Sequence, residues 1–195
     1  MIFSIKQAGA PAGGAIAGLV VAPLAAAHGW PVAMLLAVAV GTVSALVIGP
    51  LRVLMDSERD PARSIHPRAV FAWHNLMTPL RALGTHLEMV PITFLALSFA
   101  FVQGVLFSFS VTYLTERGMG LAEAGYAYAC LQGAGVFARV FLGWLADRTG
   151  TPAVNLTAQA FVASACVLAY AFLPDAAPLS LVAGVAMLAG FFACS

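Results

Sequence analysis

The chain has 195 residues, nine Lys and Arg against eight Asp and Glu, and a formal net charge of +1. Hydrophobic residues make up 62% and charged residues 9%, with a mean hydropathy of +0.95, whereas a soluble domain carries roughly 25% charged residues. A soluble globular protein is excluded, and so few, dispersed cations exclude nucleic acid as a partner; the expected partner is the lipid bilayer.

Uninterrupted apolar stretches run over residues 4–27, 30–54, 89–114, 121–146, 151–173 and 179–195. A helix needs ~20 apolar residues to cross ~30 Å of hydrocarbon, and the first five stretches meet that length. The predicted fold is all-α: a polytopic transmembrane bundle of six spans. The sixth, LSLVAGVAMLAGFFACS, stops inside its apolar run, so the chain reads as a fragment of a longer protein.

The first span is rich in small residues. In QAGAPAGGAIAG, Gly9 lies four before Gly13 and Gly14 four before Gly18, a spacing that lets helix backbones approach closely in a medium where lipid is as apolar as leucine. Pro11 sits among them and should bend or loosen the helix. Lys6, the apolar run and LAAAH at residues 24–28 also fit a secretory signal, a reading opposed by Pro11, Pro23, the glycines and a second span starting at Trp30.

After the second span comes the only long polar stretch, residues 56–88, which divides the chain into 1–55 and 89–195. Its first half, DSERDPARSIHPR, should be irregular. In its second half Leu76, Leu80, Leu83 and Leu87 share one helical face, which fits either an interfacial helix or an extension of the third span.

Polar side chains inside spans are costly and tend to face a bundle interior or a cavity. The third span carries Gln103, with Ser110 one heptad later as a packing residue. In the fourth, Gly125, Tyr128, Gln132, Gly135, Arg139 and Gly143 recur at three- and four-residue steps as one small-and-polar stripe. Arg139, Gln132, Gln103 and Tyr128 are the substrate-cavity candidates, and for Arg139 a snorkelling anchor remains an equal alternative. The span ends in GWLADRTG, residues 143–150, an Asp–Arg pair between two apolar runs.

With alternating spans, Lys6, Arg52, Arg59, Arg63, Arg68, Arg81 and Arg148 fall on one side and Arg117 on the other. The positive-inside rule then makes Lys6, loop 56–88 and Arg148 cytoplasmic. No metalloprotease, hydrolase or nucleotide-binding signature is present, so no enzyme is expected and no catalytic residue is named. His28, His66, His74 and His86 are too scattered for a metal site. Cys130, Cys166 and Cys194, all inside apolar runs, read as small buried apolar residues.

GWLADRTG resembles the Gly-x-Leu-Ala-Asp-Arg-x-Gly motif in the cytoplasmic loops of major facilitator superfamily transporters. The resemblance implies a partial major facilitator fold, with residues 56–88 as the loop between two six-helix halves and the spans as the fifth to tenth of twelve. It makes Gly143, Asp147, Arg148 and Gly150 a gating motif, with Asp147 approaching the backbone around Ile2 to Lys6 and Lys6 as an added charge partner. QAGAPAGG is similar to the family's Gly-Pro motif, which implies a helix-packing role for Gly9, Pro11, Gly13, Gly14 and Gly18. Ala10 stands in place of the motif's glycine and one residue separates Pro11 from Gly13, departures that weaken the inference to proton-driven drug antiport, with which the stricter motif is associated. SIKQAGAPAGG and GVFARVFLGWLADR look most like the bacterial cyanate-permease-like branch.

The expected function is secondary transport of a small polar or anionic organic solute across the bacterial inner membrane by alternating access. No cofactor is expected, proton coupling stays open, and the missing helices of the same full-length chain are expected partners, so that the fragment alone does not transport. The alternative is a complete six-span membrane protein without transport activity, either an enzyme or an assembly partner.

Overall fold

A computed structural model describes residues 2–51, 73, 77, 81, 84, 89–175 and 177–194, with backbone only at 2–6 and 152. The described residues form helices α1 (Ile2–His28), α2 (Trp30–Ile48), α3 (Met89–Glu116), α4 (Leu121–Thr149), α5 (Pro152–Ala171) and α6 (Leu179–Ala193). The first five are long and apolar enough to cross a membrane, while α6 has 15 residues. The all-helical transmembrane fold is therefore as the hydropathy pattern predicts. Leu76, Leu80, Leu83 and Leu87, and the stretch 56–72, fall outside the described residues.

Helix α2 ends earlier than its apolar run. The run continues to Leu54, but Gly49–Leu51 is a 3-10 turn. Pro50 has no N–H to donate and disfavours helical geometry at Gly49, so the α-helix stops at Ile48.

The chain divides into two compact units. One comprises Met1–Ala37 with Phe99–Ser195, the other Val38–Ser98. In the second, hydroxyls that would meet hydrocarbon turn back onto their own helix: Thr42 and Ser44 donate to the carbonyls of Val38 and Val40, and Thr93 and Ser98 to those of Met89 and Phe94. Around them Val43, Leu46, Val47, Phe94 and Leu97 are exposed, which suits a lipid-facing surface.

The first unit is organised by α4. Its buried positions include Ala124, Gly125, Ala127, Ala129, Leu131, Gln132, Ala134, Gly135 and Ala138, all small but Leu131 and Gln132 and spread over more than one face. Consequently α4 packs between α1 and α6, and α5 packs against α6. On α1 the contacting face is Pro11, Gly14, Gly18, Ala22 and Ala25, at three- and four-residue steps. A Cβ at Gly18 would lie 2.6 Å from the Gly125 carbonyl oxygen and 3.0 Å from the Ala129 nitrogen, so the two backbones are in direct contact. The pairs Gly14 with Gln132 and Gly18 with Ala129 show the helices antiparallel. Against α6, Gly190 meets the Leu131 backbone and Gly135 meets Cys194, a parallel pair.

Far from GWLADRTG, α3 clasps the end of α5. The last carbonyls of a helix have no partner within it. Here Tyr113 Oη donates to the carbonyls of Ala171 at 2.8 Å and Tyr170 at 3.3 Å, and Arg117 Nη1 donates to that of Leu173. Arg117 also pairs with Asp175 at 3.1 Å and lies 4.9 Å from the centre of the Tyr113 ring. Ser110 and Tyr170, buried beside one another, complete the contact, though neither hydroxyl makes a full hydrogen bond.

Candidate functional site

The polar stripe of α4 faces the seam with α1. Gln132 is 3% exposed; its Nε2 donates to Tyr128 Oη at 2.7 Å, one turn earlier on the same helix. The amide lies over Gly14, where an added Cβ would sit 2.5 Å from Nε2. Gln132 Oε1 is buried and makes no hydrogen bond. One helical face thus presents an unused amide acceptor and a phenolic hydroxyl, groups suited to a polar solute.

Seven residues further along α4, about 10 Å at 1.5 Å per residue, lies Arg139. Its Nε donates to the Cys194 carbonyl at 3.1 Å and its Nη1 to the Gln7 carbonyl. Both are backbone acceptors, and the remaining guanidinium N–H groups are uncommitted by these two bonds. Gln103 on α3 is half-buried and makes no hydrogen bond to this set. Three of the four cavity candidates therefore share one face, and Gln103 does not join them.

The GWLADRTG turn owes its shape to Gly150. This residue caps α4 with φ 64° and ψ 8°, and its N–H donates to the Ala146 carbonyl at 3.2 Å. A left-handed residue ends a helix at little cost only when it has no Cβ. Pro152 then starts α5, and Asn155 Nδ2 donates to Thr149 Oγ1 at 2.6 Å, tying the first turn of α5 to the last residue of α4. Arg148 stacks on Trp144, 5.5 Å from the ring centre. Gly143 is half-buried, and Asp147 is exposed with no ion pair among the described residues. Because Arg139 meets Gln7 and the helices are antiparallel, the motif lies at the Lys6 end of α1. Extending both helices axially from that contact carries Asp147 about 12 Å and Ile2 about 7.5 Å beyond it, so Asp147 lies roughly one turn past the Ile2 end of α1. The Lys6 side chain falls outside the described residues.

The small residues of α1 divide by face. Pro11, Gly14 and Gly18 meet α4, whereas a Cβ at Gly9 or Gly13 would meet nothing within 4 Å. Four-residue spacing alone names both pairs, and the 3.6-residue period puts only one on the seam. Cys194 is buried, while Cys130 and Cys166 are only half-buried. Gly190 and the Cys194 carbonyl, which complete the α4–α6 contact, escaped the sequence reading. Their signal is the run Ala183, Ala186, Gly190, Ala193, small residues at three- and four-residue steps.

The Major Facilitator Superfamily profile matches residues 1–195. The chain belongs to the Major Facilitator Superfamily. It is thus a multi-pass membrane protein of a transporter family, which fits its five long apolar helices and the placement of GWLADRTG at a helix-to-helix turn. No curated protein and no solved structure matches the chain. At the α1–α4 seam Gln132 is the buried polar side chain, and the GWLADRTG turn lies at the Lys6 end of that seam.

Proposed function

We propose that this superfamily member is a secondary active transporter of a small polar or anionic organic solute in the bacterial inner membrane, of the cyanate-permease-like branch. Residues 1–55 are the last two helices of the N-terminal bundle, 56–88 the cytoplasmic central loop, and 89–195 the first four helices of the C-terminal bundle. The spans are the fifth to tenth of twelve, and transport proceeds by rocking of the two bundles around a midplane site. Tyr128, Gln132 and Arg139 line that site. Lys6, loop 56–88 and Arg148 face the cytoplasm. The observation that carries the reading is the stripe of half-buried Tyr128 and buried Gln132 leading to Arg139 at the seam of α1 and α4. A polar group kept dry in a bilayer protein, with an acceptor to spare, fits a solute better than it fits packing.

Asp147 is the gate. A helix N-terminus carries about half a positive charge and unpaired N–H groups, and a nearby carboxylate stabilises it by ~0.3 to 1 kcal/mol when exposed. In the full-length chain, Asp147→Asn should shift the population toward the inward-facing state, read as faster labelling of cysteines placed at the Lys6 end of α1. Uptake in vesicles should be saturable for a subset of small organic anions or neutral polar solutes, with Gln132→Ala raising KM roughly tenfold. Unchanged cysteine labelling would leave Asp147 a charged turn residue. Coding sequence without further spans on either side, together with no uptake across the panel, would favour a six-span protein without transport activity.

A further inference from the structure

In an α-helix the carbonyl of residue 7 accepts from the N–H of residue 11. Residue 11 of α1 is a proline and has no N–H, so the Gln7 carbonyl lacks its donor. Pro11 is also fully buried, on the face that α4 covers. The guanidinium that reaches the seam at that level is Arg139, whose Nη1 donates to the Gln7 oxygen. An apolar proline pointing at α4 and a cation from α4 pointing at the carbonyl it releases are two halves of one contact.

We propose that Arg139 is a positioning residue that stands in for the N–H that Pro11 lacks, so that Pro11 and Arg139 together form a clasp holding the Lys6 end of α1 against α4. The clasp is directional. It works only while α1 and α4 are apposed, because a guanidinium on another helix replaces a bond that a normal helix keeps whatever its neighbours do. It is also releasable, since Gln7 starts the apolar window of α1 and water can take over its carbonyl when the helices part. Resting on the transporter reading above, this makes the clasp a contact that favours closure at the Lys6 end and must break for that end to open. It also explains an arginine so far from the end of α4: the group it satisfies is a backbone carbonyl, whose position is set by where the proline falls.

The test is amide hydrogen exchange on the whole chain in nanodiscs, read for peptides covering the first turns of α1, without substrate. Arg139→Ala should speed exchange there roughly tenfold, since a charged donor to that carbonyl is lost. Arg139→Lys keeps a donor and should fall between wild type and Arg139→Ala. The decisive variant is Pro11→Ala/Arg139→Ala, in which the N–H restored at position 11 bonds to the Gln7 carbonyl and exchange returns to near the wild-type rate. An arginine that serves only to bind an anion would not be rescued by a change at Pro11. Unchanged exchange in Arg139→Ala, or a double variant as fast as Arg139→Ala, overturns the proposal. Should Arg139→Ala fail to fold, Pro11→Ala and the double variant carry the test: equal exchange supports the clasp, and a double variant that is tenfold faster or does not fold refutes it. No transport is measured, so loss of the transporter reading would leave this result standing, and the reverse holds.

Discussion

Replacing Gly18 with Ala puts a methyl group into the closest backbone contact of the α1–α4 seam. The new Cβ would lie 2.6 Å from the Gly125 carbonyl oxygen and 3.0 Å from the Ala129 nitrogen, against an ordinary contact of 3.4–4 Å. Neither neighbour is a flexible side chain, so α1 and α4 must part by roughly 0.8 Å, the shortfall between 2.6 and 3.4 Å. A gap of ~0.5–1 Å forfeits about a quarter to a half of the dispersion energy of each contact it opens, and Gly14 on Gln132 and Ala22 on Gly125 open with it. Overpacking of this kind costs ~1–3 kcal/mol. Alanine returns about 0.5–1 kcal/mol through its better helix propensity, which masks part of the loss. Gly13→Ala gives the same propensity gain where a Cβ meets nothing within 4 Å, so it is the matched control. The difference between the two variants, ~1–3 kcal/mol, corresponds to roughly a 5- to 150-fold change in the unfolding equilibrium. Reversible unfolding in mixed micelles measures it. Equal stability of Gly18→Ala and Gly13→Ala would refute the backbone-contact reading of the seam.

Gly150→Ala tests the turn: its Cβ has open space, so the loss of ~1–2 kcal/mol comes from the left-handed conformation alone and should appear as a lower melting temperature with helix content kept. Tyr113→Phe removes the hydroxyl that caps α5 but keeps the ring against Tyr170, and should cost ~0.5–1.5 kcal/mol by the same unfolding assay. Asp175→Asn, by contrast, removes a carboxylate whose side chain is 90% exposed, and should leave stability unchanged at 0.15 M salt; a loss matching that of Tyr113→Phe would give the Arg117–Asp175 pair the role assigned here to the phenol.

What the amino-acid order determined by itself is what depends on local chemistry. Hydrophobic runs of span length fix membrane helices because every backbone polar group in a bilayer must be satisfied within its own segment, so the six apolar stretches correspond to α1 through α6. The turn at GWLADRTG was legible for the same reason: a glycine able to adopt a left-handed conformation, followed by a proline at the start of the next helix, stops one span and starts another within three residues. The polar stripe was also visible, since Tyr128, Gln132 and Arg139 recur at helical spacing. What it faces was not. Periodicity gives a face and no partner, and only the packed helices decided that Gln132 lies on Gly14 and that Gly14 and Gly18 rather than Gly9 and Gly13 form the seam. The Arg139 contacts lay furthest from the sequence because their acceptors are main-chain carbonyls, of which every residue has one. Pro11 marked which carbonyl on α1 had lost its donor, but that a cation 132 positions later supplies the replacement is decided by the antiparallel register of α1 and α4, a property of the packed pair and of neither helix alone.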